Sequence, residues 1–210
     1  MNMSKESELF EKIKQIRAVA QIGLVYSSNE YDIERYNELL EISNFMTSVI
    51  TDVDISKISK YFKIETDYVT PKVDVRAVIF NEQSEILLVK EKADSKWSLP
   101  GGWADIGYSP TEVAIKEILE ETGLKALPIR LLAVLDKKCH QYPPALHYAY
   151  KLFILCEVQA GNLRTAFDIL DIGYFKQNDI PPLSEERVIK EHIDLMFEYK
   201  DNPHKETIID

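Results

Sequence analysis

The stretch Gly101–Leu124, GGWADIGYSPTEVAIKEILEETGL, constrains the fold more than any other, because it spells out a helix together with both of its ends. Ser109 can accept from the free backbone N–H groups of a first turn, Pro110 suits the first helical position, and Glu112 completes a capping box. Gly123 stops the helix, since it takes the left-handed conformation at no steric cost. Between these ends, at about 100° per residue, Glu117, Glu120 and Glu121 share roughly one third of the circumference. Ile115, Ile118, Leu119 and Thr122 occupy the other side and are expected to pack on a sheet. Three carboxylates thus leave one end of an anchored helix beside a Gly-Gly loop. Hard divalent cations take such oxygen ligands, whereas a solvated acidic face is the commoner use of three glutamates.

The rest of the chain divides where its periodicity changes. Leu9, Ile13, Ile16 and Ala20 recur at helical spacing over 4–26. A second helix is expected from about Asp32, with Ile33, Tyr36, Leu39, Leu40, Met46 and Ile50 on one stripe and Ser43 inside it. A third spans Ile55–Phe62. So few residues bury little surface, so this module needs a partner surface, either the next domain or a second copy. Ile64–Lys72 reads as the linker. Val73–Phe80 and Ile86–Val89 read as a β-hairpin, followed after the capped helix by strands at 129–136, 146–158 and 173–175. Glu185–Tyr199 reads as a last helix, and 201–210 shows no periodicity. Elements mixed in this way give an α+β chain, with a helical domain over 1–68 and a second domain over 69–210.

Composition narrows the partners. A formal charge of −10 gains nothing from the counterion release that drives nonspecific nucleic-acid binding. No run is long and apolar enough to cross a bilayer, and the N-terminus lacks a signal peptide's apolar core, which predicts a cytoplasmic protein without a membrane partner. Cys139 and Cys156 lack metal-ligand spacing and are expected as reduced thiols.

The capped segment resembles the Nudix box, G-x5-E-x7-R-E-U-x-E-E-x-G-U with U a bulky apolar residue. Gly102, Glu117, Ile118, Glu120, Glu121, Gly123 and Leu124 match in register, while Tyr108 replaces the first Glu and Lys116 the Arg. The N-terminal AQIGLVYS and YDIERY, with VDVRA and IPPLSEER, resemble a two-domain group of Gram-positive bacterial Nudix hydrolases. That group acts on nucleoside diphosphates linked to a group X, as CDP-choline or ADP-ribose pyrophosphatases. The resemblance implies a mixed-sheet α/β/α sandwich after a small all-helical domain. It also implies hydrolysis of a diphosphate into a nucleoside monophosphate and phospho-X.

By the same resemblance, Gly101, Glu117, Glu120 and Glu121 would hold Mg²⁺, or Mn²⁺ in its place. Lys116 would keep the charge that orients a ligand glutamate, without the fork of arginine. Glu120, Glu121 or a later residue would serve as base, with Asp168 and Asp171 on a loop that could reach the site. Arg76, Lys90, Gly102, Lys137 and His140 are the candidate substrate contacts, the last two in the loop KKCHQYPPALH. Trp103, Tyr142 and Tyr148 could stack on a base or pack in the core. A non-catalytic nucleotide-binding regulator and an RNA-directed nuclease or end pyrophosphohydrolase are the alternatives. Surplus apolar surface on the N-terminal helices predicts a homodimer.

Overall fold

The computed structural model describes residues 5–62, 68–143 and 145–210. Residue 4 of the first expected helix and residues 64–67 of the expected linker lie outside them. The chain forms two compact units, one of residues 1–71 with 144–148, the other of 72–143 with 149–210.

The first unit is helical: α1 (Lys5–Tyr26), α2 (Glu30–Thr51) and α3 (Ile55–Tyr61). Asn29 caps α2 by accepting from the Tyr31 N–H. The stripe that α2 buries is Leu40, Ser43 and Thr47, with the two hydroxyls bonded back to Leu40 and Ser43 carbonyls. Small residues let helices approach closely. At Gly23 a Cβ would lie 2.4 Å from the Tyr36 ring. Ile42, Phe45 and Val49, by contrast, stand exposed along one side of α2. Segment 145–148 belongs here through Lys14, whose Nζ donates to the Ala145 carbonyl, and Tyr148, which donates to the Glu11 carbonyl.

The second unit is built on a five-stranded sheet. Its strands are β1 (Lys72–Val78), β4 (Gly101–Trp103), β5 (Leu124–Asp136), β6 (Ala149–Gly161) and β8 (Ile208–Ile209), in the order β4-β1-β6-β5-β8. The sheet is mixed: β1 runs parallel to β6 and antiparallel to β4. A second sheet, β3-β2-β7, contains β2 (Ile86–Glu91), β3 (Trp97–Ser98) and β7 (Ile169–Phe175). The helix α4 (Pro110–Thr122) packs Val113, Ala114 and Ile118 on Val75, Ala77 and Ile154. The helix α5 (Lys190–Asp201) packs Ile193, Met196 and Phe197 with Val78, Ala133 and Phe153.

The expected hairpin of β1 and β2 is corrected. The two meet at the antiparallel Phe80–Ile86 bridge, beside the Leu87-to-Ile79 and Asn81-to-Glu85 hydrogen bonds, and then part. Because β1 already has β4 and β6 on its two edges, β2 joins the other sheet. Its Ile86 and Leu88 enter one core cluster and Leu87 the other, as a continuous apolar run covered on both faces does. The last helix begins later than expected, because 185–187 form a turn first. The tail carries β8, paired to Ala133 and Val134. Both cysteines are free.

Candidate active site

The helix α4 starts as its sequence dictates. The Ser109 side chain accepts from the Glu112 N–H, and the Glu112 carboxylate accepts from the Ser109 N–H at 2.8 Å. Gly123 closes it at φ 75°. Ile118 and Thr122 are buried as expected, but Leu119 is exposed and Glu121 is buried at 7% exposure. Ala114, Ile118 and Glu121 follow one another at helical spacing on the inner side. A carboxylate therefore takes a core position, and it has a reason to. The Gly101 N–H donates to Glu121 Oε2 at 3.0 Å.

The Gly pair makes this approach possible. Gly101 pairs with Arg76 across the β1–β4 ladder at φ 144°, where a Cβ would lie 2.1 Å from the Val75 carbonyl. At Gly102 a Cβ would sit 3.1 Å from Glu117 Oε1. The two glycines thus press backbone against two different glutamates.

The three carboxylates differ in environment. Burial raises Glu121 to about 8, against the nearby Arg76 charge and the Gly101 hydrogen bond. Burial also raises Glu117, opposed by Lys116 and helped by Glu120. Glu120 is exposed. Lys116 stands among them, with Nζ 3.9 Å from Glu117, 3.5 Å from Glu120 and 3.3 Å from Asp105. Burial lowers its pKa, but the Asp105 hydrogen bond and the glutamate charges outweigh this and raise it. The two positions that depart from the box meet each other, since Lys116 Nζ lies 5.8 Å from the centre of the Tyr108 ring.

Two carboxyls held up in pKa stand beside a third carboxylate, with Lys116 and Arg76 as the nearby cations. Hard oxygen donors of this kind suit a divalent cation, which binds as the carboxyls lose their protons. Among the described residues no three such side chains already converge on one point. The donors would have to draw together around the ion.

The other candidates are placed as follows. Arg76, expected to reach substrate, is instead 5% exposed. Its Nε donates to Asp74 at 2.8 Å and its Nη1 to the Leu99 carbonyl at 3.1 Å. Its side chain is thus committed to the protein interior in this structure. Lys90 lies in the second sheet, half-buried, opposite Trp97 and Asp171. Asp171 lies within β7 rather than on a loop and accepts from the Ile172 N–H, and Asp168 contributes its carbonyl to the Lys92 N–H. Lys137 donates to the Glu186 carbonyl and lies 4.9 Å from the Tyr142 ring centre. His140 bonds Asp210 at 3.0 Å and stacks edge-on with His192. Trp103 is exposed at the end of β4.

Sequence reasoning missed Asp74, Lys151 and His192. Asp74 and Arg76 stand two apart on one strand and so share a face, which was a readable signal. Lys151 and His192 come from distant segments and gave none. His192 is fully buried, accepts from or donates to Tyr142 at 2.9 Å, and its pKa falls to about 3 through burial and the neighbouring His140 and Lys151.

Family comparison decides what this arrangement is. Residues 70–195 match the model of the NUDIX domain, and residues 7–62 match a model described as a UDP-X-like, N-terminal oligomerisation domain. The chain belongs to the Nudix hydrolase family. Among curated relatives it is 42% identical over 205 residues, 98% of each chain, to a Bacillus subtilis protein named "Putative ADP-ribose pyrophosphatase YjhB". Among solved structures it resembles a UDP-X diphosphatase at 33% identity and TM-score 0.63, covering 98% of this chain and 100% of that one. It also resembles an ADP-ribose pyrophosphatase from Streptococcus suis at 38% identity and TM-score 0.60, over 67% of this chain and 100% of that one. The Bacillus subtilis and UDP-X diphosphatase matches span both units of the chain.

Proposed function

We propose that this Nudix hydrolase is a Mg²⁺-dependent pyrophosphohydrolase that cleaves the diphosphate of a nucleoside diphosphate linked to X, with ADP-ribose as the leading substrate and CDP-choline-type compounds second. The observation that carries this reading is the intact glutamate face: Glu117 and Glu121 are pressed against the Gly pair and Glu120 flanks them beside Lys116. A regulator that had lost catalysis would have no need to keep three carboxylates in that setting. The relatives named for ADP-ribose hydrolysis support the substrate class.

Water adds to one phosphorus, the bridging P–O bond breaks, and the products are a nucleoside monophosphate and phospho-X. A bound divalent ion would neutralise diphosphate charge and lower the pKa of the attacking water. Glu117, Glu120 and Glu121, with the Gly101 carbonyl, are the residues that would hold it. Lys116 fixes Glu117 and Glu120 in orientation, and the Gly101 amide does so for Glu121. Positioning and charge neutralisation supply most of the rate in such reactions.

The same proposal extends to assembly. The exposed stripe of Ile42, Phe45 and Val49 on α2 fits a second copy of the chain, in keeping with the oligomerisation domain matched there.

A substrate panel tests the activity: ADP-ribose, CDP-choline, a UDP-sugar and a short RNA, with mononucleotide and phosphate products separated by chromatography. AMP and ribose phosphate from ADP-ribose are expected, only with Mg²⁺ present. Turnover of RNA alone, or tight nucleotide binding without turnover, would overturn the proposal.

A further inference from the structure

Behind the Gly pair lies a connected set of buried charges that the box motif does not contain. Asp74 and Arg76 project from β1 onto one face of the five-stranded sheet, and Lys151 is the register partner of Asp74 across the parallel β1–β6 ladder. All three are buried. One Asp74 oxygen accepts from Arg76 Nε and the other from Lys151, which also donates to the Arg187 carbonyl at 2.6 Å.

The far side of Arg76 grips the loop that enters the active site. Its Nη1 holds the Leu99 carbonyl at 3.1 Å, while the next N–H along, that of Ala77, holds the Pro100 carbonyl at 2.8 Å. Gly101 follows in register opposite Arg76, and its own N–H holds Glu121. An unbroken series of contacts therefore runs from Lys151 through Asp74, Arg76 and the Leu99–Gly101 backbone to Glu121. Stability alone does not account for three buried charges, because desolvation consumes most of what such pairs gain, and apolar replacements are often neutral or better. Fixing a geometry does account for them.

We propose that Arg76, locked by Asp74 and Lys151, is a positioning residue that sets the Leu99–Gly101 backbone, and through it Glu121, to receive a divalent cation. This rests on the metal-dependent reading above. A lysine at 76 keeps the charge but lacks the rigid fork that spans Asp74 and the Leu99 carbonyl together. Residues that orient metal ligands in this way typically cost about 10–100-fold in metal affinity when changed.

The test follows Mn²⁺ alone, without nucleotide, by the paramagnetic resonance signal of the free ion in titrations of the full chain. Arg76→Lys and Asp74→Asn are each expected to weaken Mn²⁺ binding about 10-fold or more. At saturating Mg²⁺ both should lower kcat for ADP-ribose while KM stays within about twofold, the pattern of lost transition-state positioning. Unchanged Mn²⁺ affinity in the two variants overturns the proposal. So does a raised KM with normal Mn²⁺ binding, which would make Arg76 a phosphate contact. If Arg76→Lys does not fold by circular dichroism, Asp74→Asn decides, and failure of both to fold would leave the triad a purely structural role. Failure of the metal reading itself looks different, since the wild-type chain would then leave the free Mn²⁺ signal undiminished.

Discussion

At the scale of single residues, the two adjacent glycines separate folding from chemistry. At Gly101 the backbone sits at φ 144° with the Val75 carbonyl where a Cβ would go. Gly101→Ala is therefore expected to cost about 3 kcal/mol or more of stability, the upper end for a strained backbone with no room to relax. At Gly102 the nearest atoms a Cβ would meet belong to the Glu117 carboxylate, the end of a side chain that can shift. Gly102→Ala should leave the urea midpoint nearly unchanged and lower kcat, a contrast that denaturation and kinetics on the two variants will show. His192 carries a different expectation. Its folded pKa, about 3, lies below the ordinary value near 6.5, so the unfolded chain binds the extra proton between these limits. Stability present above about pH 6.5 is then lost as pH falls toward 3, with a slope approaching about 1.4 kcal/mol per pH unit. Urea unfolding of His192→Phe across pH 6.5 to 4 should show a shallower loss than wild type.

At the scale of elements, α4 was the most legible part of the chain because its caps are local chemistry. The Ser109–Glu112 box and the Gly123 stop appear as the residues dictate. Ser109→Ala should cost about 1 kcal/mol, read as a lowered thermal midpoint. The direction in which α4 faces was legible only in part, through Ile118 and Thr122. A helical wheel places Leu119 inside and Glu121 outside, but the Gly101 amide supplies a partner that sequence spacing cannot reveal. The strands show the same limit. β4 contains two glycines and three residues in all, and β8 has two, too short for any alternation to register. The apolar run of β2 marks it as a strand, but its main partners depend on which edges β1 has already filled, so it leaves β1 after the Phe80–Ile86 bridge. Lys151 reaches Asp74 only through that long-range pairing.

At the scale of the whole molecule, two periodicities marked two parts, and the family models fall on either side of residue 70. No helix among the described residues is long and apolar enough to cross a membrane. The helical part keeps Phe45 60% exposed between Ile42 and Val49. If the proposed dimer forms through this stripe, Phe45→Glu halves the mass seen by light scattering at micromolar concentration, and an unchanged mass would remove the stripe from that contact. Catalysis rests on the glutamate face if the proposed reaction holds. The most direct measurement is the Mg²⁺-dependent turnover of ADP-ribose by Glu120→Gln, a change at an exposed position that leaves the buried contacts of α4 in place. For this variant kcat/KM is expected to fall at least about 100-fold, roughly 3 kcal/mol of transition-state stabilisation, with the thermal midpoint unchanged. Turnover at the wild-type level would contradict it.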